Sequence, residues 1–119
     1  MILSPAKRLD FSAPGTDVPA TAHRMTDDVR SLSVTARRQT QADLRRLMNI
    51  SADLAKLNQA RFKAFDPDGD EGLQAALAFA GDVYQGLDAR SLAADDLTWA
   101  QDCLRILSGL YGLLRPLDR

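Results

Sequence analysis

The stretch Leu44-Arg45-Arg46-Leu47-Met48-Asn49-Ile50-Ser51-Ala52-Asp53-Leu54-Ala55 carries both cationic charge and the chain's strongest signals for local structure. Thr40 just before it is an N-cap residue, with Asp43 three positions on to meet the exposed first-turn amides. Leu44, Leu47 and Met48 then recur at helical spacing. Asn49 adopts the left-handed conformation more readily than any residue but glycine, and so can end that helix. Ser51 can cap a second helix, whose inner face reads Leu54, Leu57 or Asn58, Phe62 and Phe65. The pattern predicts helix, tight turn and helix over residues 40–65. A turn that short leaves the second helix's first amides pointing outward, where they can hold an anion.

The same line resembles the helix-hairpin-helix of DNA repair proteins, in which a glycine-bearing hairpin joins a leucine-rich helix to a second helix. Leu44, Leu47, Ile50, Leu54 and Ala55 occupy its apolar positions in register. Asn49 and Ser51 stand where its glycines usually sit, Met48 replaces its proline, and Asp53 replaces a common basic residue. Asp53 suits a helix N-terminus but repels a phosphate placed there. An ordinary αα-hairpin packed on a core is the plainer alternative.

Charge adds to the case for a polyanion. Residues 37–63 hold seven cations (Arg37, Arg38, Arg45, Arg46, Lys56, Arg61 and Lys63) against Asp43 and Asp53. Residues 66–102 hold nine carboxylates and the single cation Arg90. The formal net charge of −1 thus conceals a basic segment followed by an acidic one. A solvated helix face is the bland reading of such clustering.

The chain's 119 residues, 45% of them hydrophobic, fit one small domain over 1–119. No apolar run approaches the ~18 residues of a spanning helix, so no membrane is expected as a partner. Met1-Ile-Leu-Ser-Pro5 is too short for the apolar region of a signal peptide. A lone Cys103 without an export signal points to a reducing, cytoplasmic compartment. Its place in an apolar helical pattern predicts a buried structural thiol. One His and one Cys cannot build a zinc site, and neither metal nor cofactor is expected.

Met1 to Leu3 read as a short buried strand, broken by Ser4-Pro5-Ala6-Lys7. Phe11 to Ala22, with two prolines and a glycine, predicts an extended surface segment. Thr26 to Arg38 predicts a helix with acidic Asp27 and Asp28 first, basic Arg37 and Arg38 last, and a stripe of Met25, Val29, Leu32 and Ala36. Asp66-Pro67-Asp68-Gly69-Asp70-Glu71 superficially resembles a calcium loop. Counted from Asp66, however, Glu71 falls at the turn glycine and Leu77 at the bidentate carboxylate, so the segment reads as a turn.

Leu73 to Ala78 predicts a short helix running into Phe79, and Gly81 to Leu87 a short strand or bent loop. Asp95 or Asp96 should cap a final helix to about Leu107, with Thr98, Gln101, Asp102 and Arg105 as its polar stripe. Leu97, Trp99, Ala100, Cys103, Leu104, Ile106 and Leu107 cover the rest of its circumference, which predicts a helix central to the core. Two glycines in Ser108-Gly109-Leu110-Tyr111-Gly112 allow a turn or a close backbone approach. Leu113 and Leu114 beyond it should be buried, and an apolar segment so near the terminus suggests an incomplete domain.

Three motifs together resemble the bacterial YaaA family, also called DUF328 or UPF0246. They are Met1-Ile-Leu-Ser-Pro-Ala-Lys7 with Leu9-Asp10, Phe79-Ala-Gly-Asp-Val-Tyr84 with Gly86-Leu87, and Leu104-Arg-Ile-Leu-Ser-Gly-Leu-Tyr-Gly-Leu-Leu-Arg-Pro-Leu-Asp118. The resemblance runs the length of the chain and covers the N-terminal half of family members. It implies a cytoplasmic protein of the peroxide-stress response, linked to limiting intracellular iron and oxidative DNA damage. It also implies an α+β fold, here mostly helical with a few short strands, carrying a positively charged cleft and a helix-hairpin-helix that binds duplex or branched DNA. No catalytic residue comes with it.

Three functions follow as expectations. In the first, hairpin amides near Asn49, Ile50, Ser51 and Ala52 hold a DNA phosphate while Arg45, Arg46, Lys56 and Arg61 add sequence-independent attraction. In the second, Ser4, Lys7, Asp82, Ser108, Tyr111 and Arg115 flank a nucleotide- or nucleobase-binding pocket of an enzyme fragment. No nucleophile–base pair is recognisable there, since His23 sits in a loop far from these motifs. In the third, the chain is a structural half-domain that works with a missing C-terminal half or as a homo-oligomer.

Overall fold

The computed structural model describes residues 1–12 and 14–119; Ala13, within the predicted extended segment, lies outside the described residues. The chain opens with β1 (Ile2–Leu3) and β2 (Arg8–Leu9). Three helices follow, α1 (Thr26–Arg37), α2 (Gln41–Met48) and α3 (Ala52–Ala64). Next come α4 (Ala75–Ala78), β3 (Phe79–Ala80), α5 (Asp82–Leu87) and a 3-10 turn at Ala89–Ser91. The chain closes with α6 (Ala94–Cys103), β4 (Arg105–Ser108) and β5 (Gly112–Leu114). The class is α+β, mostly helical with short strands, and the chain divides into two compact units.

The first unit joins Met1–Met25 to Asp70–Arg119. Its three-stranded sheet has the order β1-β4-β5, β1 parallel and β5 antiparallel to the central β4. A second ladder pairs β2 with β3 antiparallel, Arg8 opposite Ala80. Ala75, Leu77, Tyr84, Leu97, Ile106 and Leu114 belong to the core. Leu117 and Asp118 are also buried, and Thr21 forms a parallel bridge to Asp118.

Several expectations change in this unit. Gly81 to Leu87 forms helix α5 rather than a strand or bent loop. Gly81, at φ 131°, turns the chain out of β3, and Tyr84 on the new helix is buried in the core, which outweighs the β preference of Val83 and Tyr84. The last helix begins after Ala93, with Asp95 and Asp96 in its first turn rather than at the cap, and stops at Cys103. Beyond it the chain becomes the central strand, because the Arg105 amide donates to the Met1 carbonyl and Ile106 pairs with Leu3. Only Leu97 and Ala100 of α6 are buried, while Trp99 is 69% exposed. Cys103 is exposed, not a buried structural thiol. Met1 and Ile2 are exposed too, so the first strand is present without its predicted burial, and Leu113 stays partly exposed where Leu114 is buried.

The second unit, Thr26–Gly69, is helical; α3 packs against both α1 and α2. The buried residues of α1 are Val29 and Ser33, with Leu32 exposed, so its inward face is rotated from the predicted stripe. Ala55 is the buried residue of α3, flanked by half-buried Asn58, Gln59 and Phe62, whereas Leu54 and Leu57 are exposed. Small Ala55 lets the helices approach closely, and the leucines are left outside. The Arg37 guanidinium donates to the Phe62 carbonyl at 3.3 Å and to the Phe65 carbonyl, satisfying the end of α3. Arg30 pairs with Asp68 and Asp27, and the Asp68 amide donates to the Asp66 carboxylate, which makes 66–69 a turn.

Candidate functional site

The helical hairpin is built as its residues dictate. Thr40 Oγ1 accepts from the Asp43 amide at 3.1 Å, and the Asp43 carboxylate accepts from the Thr40 amide at 3.0 Å, a reciprocal capping box. These bonds, with Arg46 nearby, hold the Asp43 carboxyl below the usual aspartate pKa. Asn49 closes α2 at φ 51° and ψ 54°, in the left-handed region. Ser51 caps α3 by accepting from the Leu54 amide, and the Ala55 amide starts the helical ladder on the Ser51 carbonyl. The amides of Ala52 and Asp53 precede that ladder, in the helix's positive first turn.

This elbow faces outward. Asn49, Ser51 and Ala52 are exposed and Ile50 is half-buried. Arg45, Arg46, Lys56 and Arg61 are all exposed, and among the described residues the one ion pair they make is Arg46 to Asp43 at 3.3 Å. At ~100° per residue, Lys56 and Lys63 share one flank of α3, whereas Arg61 lies about 140° round from Lys56. The hairpin therefore presents Arg45, Arg46 and Lys56 near its tip and Arg61 on another side of α3. Asp53, also exposed in the first turn, opposes an anion there.

Of the residues read as a pocket, Ser108 and Tyr111 come together in the β4–β5 turn, where Ser108 Oγ accepts from the Tyr111 amide at 3.1 Å. The Tyr111 ring lies edge-on to His23 with centroids 5.0 Å apart, so His23 is not remote from these motifs. Arg115 is directed onto the buried Asp118 carboxylate at 2.8 Å and donates to the Ala22 carbonyl at 3.1 Å. Ser4 offers its carbonyl to the Tyr84 hydroxyl at 2.5 Å, while Lys7 and Asp82 are exposed. Burial raises the pKa of both Tyr84 and Tyr111, keeping each phenol protonated.

A cavity of about 250 Å³ opens in the first unit, with other residues around it. Its polar lining is Arg8, Asp10, Gln85, Asp88 and Arg90; Phe79, Ala80 and Tyr84 supply apolar surface. Ala80, opposite Arg8 in the ladder, and Gly81, whose absent Cβ would meet nothing within 4 Å, help leave the space open. Sequence reasoning quoted Asp10 within a motif and missed Arg8 and Arg90 as site residues. Arg90's standing as the one cation of the acidic segment was the available signal. Among the described residues no group of three or more His, Cys, Asp or Glu side chains could hold a metal ion. Among them, too, no helix is long and apolar enough to cross a membrane.

Comparison with known proteins adds two findings. The family model described as "Peroxide stress protein YaaA" matches residues 1–119. A UPF0246 protein of Phenylobacterium zucineum is 61% identical over 99% of this chain and 44% of its own length. One from Caulobacter vibrioides is 58% identical over 99% of this chain and 46% of its own length. The chain thus spans somewhat under half the length of the curated relatives it matches, at 44% and 46%.

Proposed function

The chain belongs to the family of the peroxide stress protein YaaA, and on that premise we propose that it binds DNA without sequence preference through the α2–α3 hairpin. The observation that carries this reading is the exposed elbow. Its first-turn amides at Ala52 and Asp53 have no acceptor among the described residues, and the helices that the elbow joins carry the exposed cations Arg45, Arg46 and Lys56. In this reading the amides and Asn49, Ile50 and Ser51 fit one phosphate, and the cations attract its neighbours along the backbone. Occupied DNA in the cytoplasm is then the link to peroxide resistance, with limited iron and less oxidative DNA damage as the cellular outcome.

Few phosphates are engaged, and Asp53 repels one of them. The expected affinity is therefore micromolar or weaker, and log K should fall against log[salt] with a slope of about −3. Fluorescence anisotropy on a short labelled duplex and a four-way junction tests this. The charge-reversed R45E/R46E/K56E chain should lose at least about tenfold in affinity, since each phosphate contact is electrostatic. Binding indifferent to those changes would overturn the proposal.

A further inference from the structure

The cavity of the first unit lies on other residues than the hairpin and asks for a different partner. Its donors and acceptors are unequally committed. The Asp10 carboxylate already accepts from the Ser12 amide at 2.9 Å and the Ser12 hydroxyl at 2.5 Å, and these bonds lower its pKa, with a smaller contribution from Arg90. It meets Arg90 only at 3.5 Å, so most of that guanidinium's N–H groups have no protein acceptor among the described residues. The Arg8 side chain makes no hydrogen bond or ion pair among the described residues, so its fork of donors is uncommitted, and Arg8 also lines the cavity. Gln85 adds an amide. Asp88 is the lining's other carboxylate, so the two guanidiniums and two carboxylates balance in charge and the uncommitted donors of Arg8 and Arg90 are what an oxyanion would meet.

Beside these donors are two aromatic rings, Phe79 and Tyr84, packed edge to face with centroids 5.4 Å apart. Tyr84 is fixed there by its hydroxyl bond to Ser4, so the apolar surface is preformed. At about 250 Å³ the space is below the usual range for drug-sized ligands, and a nucleic-acid strand does not fit within it. We infer that this cavity binds a small molecule carrying a single carboxylate or phosphate group, held by Arg8 and Arg90, with a flat apolar body against Phe79 and Tyr84. Guanidinium forks match both oxyanions in geometry, which is why the shared chemistry, and not one of the two, is assigned.

The test is a titration of the ¹⁵N-labelled 119-residue chain at constant ionic strength, following the arginine Nε–Hε signals. The probes are benzoate, phenyl phosphate and the neutral isostere benzamide. Benzoate or phenyl phosphate should give saturable shifts at Arg8 and Arg90 with millimolar or tighter affinity. R8Q should weaken them about tenfold, the equivalent of one lost charge-assisted bond. The Arg8 side chain has no partner to lose among the described residues and its ladder bonds are to the backbone, so that variant should fold as the parent does; R90Q gives a second reading of the same site. Saturation by benzoate alone assigns carboxylates, by phenyl phosphate alone phosphate esters, and either upholds the inference. Equal shifts with benzamide, undiminished affinity in R8Q, shifts spread evenly over Arg45, Arg46 and Arg61, or displacement of benzoate by duplex DNA would each overturn it. The last outcome leaves DNA binding by the hairpin intact, so the two proposals fail separately.

Discussion

Gly112 shows how much one position can decide. It opens β5 at φ 68°, and a Cβ built there would come within 2.5 Å of Met25 Sδ. The methionine side chain can shift, but the left-handed backbone cannot be relieved so cheaply. G112A is therefore expected to cost about 1–2 kcal/mol, read as a lower urea midpoint with an unchanged slope. Asp118 is the second such position. Wholly buried, it accepts from Thr21 Oγ1 at 2.5 Å and from the Arg115 backbone amide and guanidinium, each at 2.8 Å. D118A leaves the largely covered Arg115 cation without its partner, and should cost about 3 kcal/mol or more in denaturant unfolding. D118N, which keeps the shape and part of the bonding, should cost less; equal stability of D118A and the parent would refute this account.

At the scale of the element, the hairpin stands on its caps. T40A removes the acceptor of the Asp43 amide and should destabilise the chain by about 1 kcal/mol. The pH dependence has a definite sign. Because the folded-state pKa of Asp43 is lowered, its stabilising contribution is present above the unfolded value and disappears as pH falls through the folded one. Helicity of the second unit, followed by circular dichroism, should thus weaken below about pH 4, and the slope should flatten in D43N. No change of slope in D43N would mean that the box contributes nothing. The same local chemistry made this element legible: Thr40, Asp43, Asn49 and Ser51 act on neighbours three or four residues away. Which leucines turn inward was not legible, because Leu54 and Leu57 follow helical spacing as well as Ala55 does.

At the scale of the whole molecule, the closing residues hold distant segments together. The Ala75 amide donates to the Asp118 carbonyl, the Ala76 amide to that of Pro116, and the Arg119 amide to that of Thr21. The first unit is thus assembled from both ends of the chain, with a helical unit inserted between Met25 and Asp70. The basic hairpin and the Arg8–Arg90 cavity fall in different units, which fits two separate binding tasks.

The sequence by itself determined the α+β class, the caps and tight elbow of the hairpin, the basic and acidic segments, and the family. Each of these is written in short-range spacing or in contiguous motifs. Only the tertiary structure decided that Arg105–Ser108 becomes a central strand, that Asp82–Leu87 becomes a helix, and that Trp99 and Cys103 remain outside. It alone brought Arg8, Asp10 and Arg90 around one cavity and set Arg115 on Asp118. The physical reason is sequence distance. Strand pairing between Ile2 and Arg105, and the packing of residues some 80 positions apart such as Ser4 and Tyr84, compete with local preference and win through burial that no neighbouring residue reveals.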